Sequence, residues 1–336
     1  MVHEAFRGPP AGRARELNQS IAVSKSGIPR IYTRFVWDEL VYVDVNSSLW
    51  LGPLAVAAIL LGGCNAAALI SVLTPTDEML KEGPIEYGSH ERQRLDVYRP
   101  RTERRSPRPV VVFFYGGGWT RGDRRDYKFA AEALVSRGYV VVIPDYRLYP
   151  EVRFPVFVED GAAATAWTLA NIDRFGGDSA RVYVMGHSSG AHIAALLTLD
   201  ERYLQEANVG DQRLAGMIGL AGPYDFLPLS TSYLKTLFGP AEHYPASQPI
   251  NFVGGDEPPL LLLHGLDDTV VRLRNTQNLA TRVKEAGGAV SVKIYPGTNH
   301  VQIVGALARR FRDWAPVIED VAVFIESNGP SPLLQP

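Results

Sequence analysis

The stretch that decides the fold is Val182-Tyr183-Val184-Met185-Gly186-His187-Ser188-Ser189-Gly190-Ala191-His192-Ile193-Ala194-Ala195-Leu196-Leu197. A short β-branched and apolar run up to Met185 reads as a strand, and the Ala/Leu-rich run Ser189 to Leu199 reads as a helix. Between them stands G-x-S-x-G, which has meaning only in this strand–turn–helix setting. A serine there sits on a tight turn at the carboxyl end of a strand, where side chains on its neighbours would clash. Only Ser188 has glycines at both −2 and +2, so Ser188 rather than Ser189 is the candidate nucleophile. The N–H of Ser189 then points to where a negative oxygen would form. A plain serine helix cap is the alternative for an isolated Ser-Gly pair.

Outward from this centre, short apolar runs alternate with longer amphipathic ones, the rhythm of a mostly parallel sheet. Strands are expected at Ile85 to Tyr87, Leu95 to Tyr98, Val110 to Tyr115, Val140 to Pro144, Val182 to Met185, Met217 to Leu220, Leu260 to His264 and Val290 to Tyr295. Helices are expected at Tyr127 to Arg137, Pro155 to Asn171, Ser189 to Leu199, Leu273 to Ala286 and Val301 to Arg310. Val110 to Phe114 and Leu260 to Leu263 are continuously apolar, as strands covered on both faces should be. Arg99 to Pro109 reads as a solvated loop. Residues 221–258, rich in Pro, Gly and aromatic residues, read as a small cap insertion over one edge of the sheet.

The third expected strand runs into Gly116-Gly117-Gly118-Trp119. Three glycines let backbone N–H groups face a developing oxyanion without Cβ obstruction, so Gly117 and Gly118 join Ser189 as candidate donors. A glycine turn without a ligand is the bland reading. After the Leu260 to Leu263 run stands His264-Gly265-Leu266-Asp267-Asp268-Thr269-Val270-Val271, and after the last strand stands Tyr295-Pro296-Gly297-Thr298-Asn299-His300. Both lie at strand carboxyl ends, where open α/β sheets bind ligands. His300 is the candidate base towards Ser188, and a carboxylate would fix its tautomer. Asp268 is the preferred acid, with Asp267 its nearest rival and Asp225 a more distant one. His187 is the x of the elbow, His264 is expected to order the acid loop, and His192 lies on the helix.

These ordered motifs resemble a serine α/β-hydrolase of the esterase/lipase superfamily, close to the hormone-sensitive-lipase-like and feruloyl-esterase-like carboxylesterases. The resemblance covers about residues 84–326 and includes Leu95-Asp96-Val97-Tyr98-Arg99-Pro100, Tyr115 to Asp123, Asp145 to Glu151, Phe154-Pro155 and Glu159-Asp160. It implies an α/β-hydrolase fold, with a mostly parallel eight-stranded sheet flanked by helices and a small cap. It also implies a triad of Ser188, Asp268 and His300, an oxyanion hole from Gly117, Gly118 and Ser189, and no metal or organic cofactor. Arg147 and Asp160 are expected to pair as a structural ion pair. The family usually has His where this chain has Tyr115, which puts the shape of the acyl side in question. The expected activity is carboxylic ester hydrolysis through an acyl-enzyme, on short-chain or aryl esters because the cap is small. An amidase or peptidase on the same fold and a catalytically silent envelope binding protein are the rival readings.

Composition sets outer bounds. The 336 residues carry 34 Lys plus Arg against 36 Asp plus Glu, a formal net charge of −2, which argues against nucleic acid as a partner. With 46% hydrophobic and 21% charged residues the chain is composed like a globular protein. The one cysteine, Cys64, excludes an intramolecular disulfide and cysteine-based zinc or iron–sulfur sites.

Residues 1–48 show no clear period and are expected to be poorly ordered. Residues 49–64 contain the apolar run Leu49 to Leu61, and no charge occurs between Asp44 and Asp77. The run is short for a span and suits a signal-peptide h-region. Leu61-Gly62-Gly63-Cys64 resembles a bacterial lipobox, which implies lipidation at Cys64 and a tether in the cell envelope facing the periplasm or exterior. Asn65 after it is a hint for the outer membrane. The 48 residues upstream and the nearby Asp38, Glu39 and Asp44 depart from a signal peptide, and a translation start assigned too early reconciles both. An uncleaved anchor and a buried apolar helix are the alternatives. Residues 65–83 read as a linker, 84–328 as the hydrolase-like domain and 329–336 as a tail.

Overall fold

The computed structural model describes residues 66–328 except 105 and 211, together with two three-residue strands, Ile21–Val23 and Pro29–Ile31. The expected signal or anchor at 49–64, with Cys64, lies outside the described residues, as does the tail 329–336. The chain divides into two units, Met1–Leu60 and Leu61–Pro336. In the first, the two short strands pair antiparallel, Ile21 opposite Ile31 and Val23 opposite Pro29, within a stretch where no regular element was expected.

The second unit is built on eight strands: β1 (Met79–Glu86), β2 (Arg94–Pro100), β3 (Arg108–Phe114), β4 (Val140–Pro144), β5 (Gly177–His187), β6 (Gly216–Leu220), β7 (Leu260–Gly265) and β8 (Val290–Tyr295). Their order across the sheet is β8-β7-β6-β5-β3-β4-β2-β1. β1 and β2 run antiparallel, and β3 to β8 are mutually parallel. All eight expected strands are present. The first is longer than its apolar signal because it lies at the sheet edge with Lys81 to Pro84 exposed, and a register shift follows Glu82. Strands β4 and β6 are buried at every residue and β3 at all but its first, which is the physical content of their uninterrupted apolar runs.

Nine helices accompany the described strands: α1 (Ala66–Val72), α2 (Lys128–Val135), α3 (Val156–Asn171), α4 (Ser189–Leu199), α5 (Arg202–Glu206), α6 (Ser232–Phe238), α7 (Arg274–Glu285), α8 (His300–Gly305) and α9 (Val317–Ser327). Three expectations are corrected. The 65–83 linker contains α1 and the start of β1, and Ser71 Oγ donates to the Asp126 carbonyl at 2.6 Å. The helix expected from Val301 to Arg310 ends at Gly305 and gives way to a 3-10 turn, Arg309–Trp314. The insertion is not confined to one edge of the sheet, although the N–H groups of Tyr224 and Asp225 donate to Asn275 of α7, beside β7 and β8. Its Phe226 and Phe238 pack with Trp119, Phe157 and His192, above the central strands β3 and β5. Helix α9 went unexpected although Val317, Ile318, Val321, Phe324 and Ile325 bury one face of it.

Candidate active site

The elbow forms where β5 ends at His187 and α4 begins at Ser189. Ser188 between them has φ 54° and ψ −121°, a conformation that costs a non-glycine residue about 1–3 kcal/mol. Ladder bonds hold it there: its N–H donates to Leu220 O of β6 at 2.9 Å, and its carbonyl accepts from His192 N–H at 3.1 Å. A Cβ on Gly186 would collide with the backbone of Gly190, and one on Gly190 with the carbonyls of Phe114 and Tyr115. The two glycines therefore let the turn close against the end of β3.

His300 opens α8, whose start is fixed by a capping box. Asn299 Oδ1 accepts from the N–H groups of Val301 and Gln302, both at 3.0 Å, and Gln302 Oε1 accepts from Asn299 N–H at 3.0 Å. This places His300 Nε2 2.9 Å from Ser188 Oγ and its Nδ1 2.7 Å from Asp268 Oδ2. The other Asp268 oxygen accepts from the N–H groups of Val270 and Val271 at 2.8 and 2.9 Å. Burial pushes the Asp268 carboxyl up. The hydrogen bond and charge of His300, with the two backbone donors, outweigh burial and leave it below the usual range. Asp268 thus stays ionised beside the imidazole. Of its rivals, Asp267 is exposed and Asp225 is engaged by Asn278 at 2.6 Å. His264 anchors the acid loop, with Nε2 donating to Val271 O at 2.9 Å and Nδ1 2.8 Å from Thr276 Oγ1.

The glycine loop is held by its carbonyls. Tyr146 Oη donates to Tyr115 O at 2.8 Å, Tyr127 Oη to Gly116 O at 3.3 Å, Thr120 N–H and Oγ1 to Gly117 O at 3.2 and 3.1 Å, and Tyr233 Oη to Gly118 O. In a trans peptide the C=O and the following N–H point in opposite directions. Tying back the Gly116 and Gly117 carbonyls therefore turns the N–H groups of Gly117 and Gly118 the other way, and neither finds an acceptor among the described residues. Ser189 N–H, in the first turn of α4, lacks an intrahelical partner for the same reason that any helix start does. All three expected donors are thus without a protein acceptor among the described residues. Gly116 lies against the elbow, since a Cβ there would come 3.1 Å from Ser188 Cβ.

Tyr115, in place of the usual histidine, is clasped from behind the loop. Its hydroxyl donates to Asp145 Oδ1 at 2.8 Å and accepts from Arg92 Nη2 at 2.8 Å, and its ring stacks between Tyr127 and Tyr146 at 5.3 and 4.8 Å. Burial and the Asp145 charge keep that hydroxyl protonated. Arg124 and Asp145 complete an ion pair beneath it. Arg147 and Asp160 form the expected bidentate pair, with contacts from 2.7 Å.

Two features escaped the sequence reading. One is the Arg92–Tyr115–Asp145 cluster, whose members are separated by 23 and 30 positions. The other is His187, whose Nε2 donates to the carbonyl of His300, 113 positions away, at 2.9 Å.

A serine on a strained elbow, an imidazole in line with a carboxylate, and unclaimed backbone N–H groups on this strand order are the arrangement of the α/β-hydrolase fold. The BD-FAE family model matches residues 95–283, more than half of the chain, and the chain belongs to that family. Among curated relatives, esterase LipC of Mycobacterium tuberculosis is 32% identical over 235 residues, 64% of this chain and 58% of that one. A probable isoprenylcysteine alpha-carbonyl methylesterase of Arabidopsis thaliana is 28% identical, over 70% of this chain and 55% of its own length. The chain thus spans a little over half the length of these two relatives. Among solved structures, esterase B from Lactobacillus rhamnosis bound to a tributyrin phosphonate inhibitor superposes with a TM-score of 0.70 at 21% identity, over 82% of this chain and 93% of that one, a likeness of fold.

Proposed function

We propose that the chain is a carboxylic ester hydrolase working through an acyl-enzyme. The observation that carries the reading is the unbroken line from Ser188 Oγ through the His300 ring to Asp268, 2.9 and 2.7 Å, beside the unclaimed N–H groups of Gly117 and Gly118. Ser188 attacks the ester carbonyl while His300 Nε2 takes its proton, and Asp268 stabilises the imidazolium. The carbonyl oxygen gains charge against the N–H groups of Gly117, Gly118 and Ser189. Collapse expels the alcohol, which receives the proton from His300. Water, deprotonated by the same ring, then releases the acid and restores Ser188. The names of the esterase relatives support this class of reaction.

The acyl groups are short-chain or aryl. The cap contributes Phe226 and Phe238 to an aromatic cluster with Trp119, the residue after Gly118, and with His192, four positions after Ser188, which supports a confined acyl side. The test is hydrolysis of p-nitrophenyl esters from acetate to palmitate, with Ser188→Ala beside it. The expected result is a maximum at short chains, abolished by the substitution at least 10⁴-fold. A maximum at palmitate would overturn the confined site, and turnover that survives Ser188→Ala would overturn the mechanism. Preference for matched amides over esters would assign the chain to amide hydrolysis instead.

The protein is further proposed to be tethered to a bacterial envelope membrane through lipidated Cys64. The charge-free stretch from Val45 to Thr76 supports this, as does α1, whose Leu69 and Val72, with the following Leu73, are exposed at 40%, 76% and 74%. Among the described residues no helix is long and apolar enough to cross a membrane. Expressed in a bacterium with radiolabelled palmitate, the wild type should carry label in the membrane fraction and Cys64→Ser should not. Unlabelled wild-type protein in the soluble fraction would end the lipoprotein reading.

A further inference from the structure

His187 is a buried group in contact with the triad for which the reaction has no use. It ends β5, immediately before the nucleophile, and its ring lies 4.8 Å from the His300 ring at an interplanar angle of 42°. Its Nε2 bonds the His300 carbonyl at 2.9 Å, and since a carbonyl only accepts, the proton resides on Nε2. A Cβ on Gly116 would approach Nδ1 to 2.7 Å, so the same ring also abuts the glycine loop. One side chain therefore touches the elbow, the base and the loop that carries the oxyanion donors. Burial, with the neighbouring His300, pushes its pKa down to about 3, which keeps the ring neutral beside an imidazole that becomes charged during turnover.

The need for such a contact lies in the position of His300. That residue starts a helix of six residues after the edge strand β8, and the next residue, Val301, is 60% exposed. Asp268 fixes the far end of the imidazole, and the Asn299 cap holds the N–H groups of Val301 and Gln302, but neither bonds the His300 carbonyl. Building on the ester hydrolase reading, we propose that His187 is a positioning residue, whose Nε2–H pins the His300 backbone so that the imidazole stays in line between Ser188 and Asp268.

Three substitutions test this. His187→Gln places an amide nitrogen the same number of bonds from Cβ as Nε2. His187→Asn falls one bond short, and His187→Phe fills the ring volume without a donor. The readouts are kcat and KM on the best p-nitrophenyl ester and the rate of Ser188 labelling by a fluorophosphonate. Asn and Phe should lower kcat and the labelling rate about 10- to 100-fold with KM within about twofold, the scale expected when a catalytic group is misplaced by about 1 Å. Gln should recover to within about threefold. The proposal is overturned if Asn keeps wild-type kcat, if Gln falls as far as Asn, or if the loss lies in KM. Should Phe fail to fold, the Gln and Asn pair decides alone. A wild type that takes no label would overturn the hydrolase reading itself, and this proposal with it.

Discussion

The two halves of the site are built differently. The nucleophile and the glycine loop end β5 and β3, adjacent strands in the middle of the sheet and almost wholly buried over their last residues. The base follows the edge strand β8, partly buried or exposed up to its buried last residue Tyr295, and the acid follows its neighbour β7, itself buried throughout but one strand from the margin. Around them Leu266, Val270 and Val301 are exposed at 53%, 68% and 60%. The central half is over-determined by packing: a strained serine, glycines with no room for a methyl group, and carbonyls tied to tyrosines. The marginal half is held by a few directed bonds, those of His264, the Asp268 backbone donors, the Asn299 cap and His187. Geometry in the first is a by-product of the core, and in the second it depends on individual side chains.

That contrast is open to direct attack. The largest effect should come from paired substitutions, one in each half. Gly190→Ala, which drives a methyl group into the Phe114 and Tyr115 carbonyls, should destabilise the fold by about 3 kcal/mol or more and lose activity with it. Asp268→Asn should lower kcat about 10⁴-fold, because the wrong His300 tautomer is favoured, while the thermal midpoint stays close to wild type. Kinetics beside thermal melts would check both. If Asp268→Asn unfolds the protein as readily as Gly190→Ala, the two halves are equally structural and the contrast fails.

A smaller effect concerns acid. His187 and His192 both lie in the central half, buried and neutral, with pKa values lowered from 6.5 to about 3 and about 4, chiefly by burial. The unfolded chain takes up these protons as pH falls through 6.5 and the folded chain does not, so their stabilisation is present above that pH and is lost on acidification. Between pH 6.5 and 5, above the carboxylate range, the unfolding free energy measured by urea titration should fall, with a slope approaching about 1.4 kcal/mol per pH unit for each histidine as unfolded-state uptake nears completion. His192→Phe, whose ring would sit among Trp119, Phe154, Phe157 and Phe238, should reduce that slope by the His192 share, the remainder resting on His187 and on His264, whose pKa burial also lowers. A midpoint independent of pH in this window would remove the acid sensitivity from the central half.

The same division explains what was legible in the amino-acid sequence. Continuous apolar runs announced β3, β4 and β7 because both faces are covered, and glycines at 186 and 190 marked the elbow because no other residue fits. Ser188, His300 and Asp268 follow strand ends and were readable in order. The tethers were not readable, since a tyrosine that holds a carbonyl looks like any core aromatic. Tyr115, Tyr127, Tyr146 and Tyr233 reach the loop or its support from four separate segments. The placement of the cap was hidden for a related reason: its aromatic residues pack on partners such as Trp119 and His192 that lie far away in the chain. Helix α9, by contrast, had an apolar stripe in plain view.

The hydrogen bond from Tyr233 to Gly118 has one more consequence. Helix α6 belongs to the insertion, yet it grips the carbonyl just beyond the two glycine donors, so the cap is mechanically coupled to the loop rather than hinged above it. Redesigning this segment to admit bulkier acyl chains would therefore alter turnover along with selectivity, and cap and loop would have to be exchanged as one cassette.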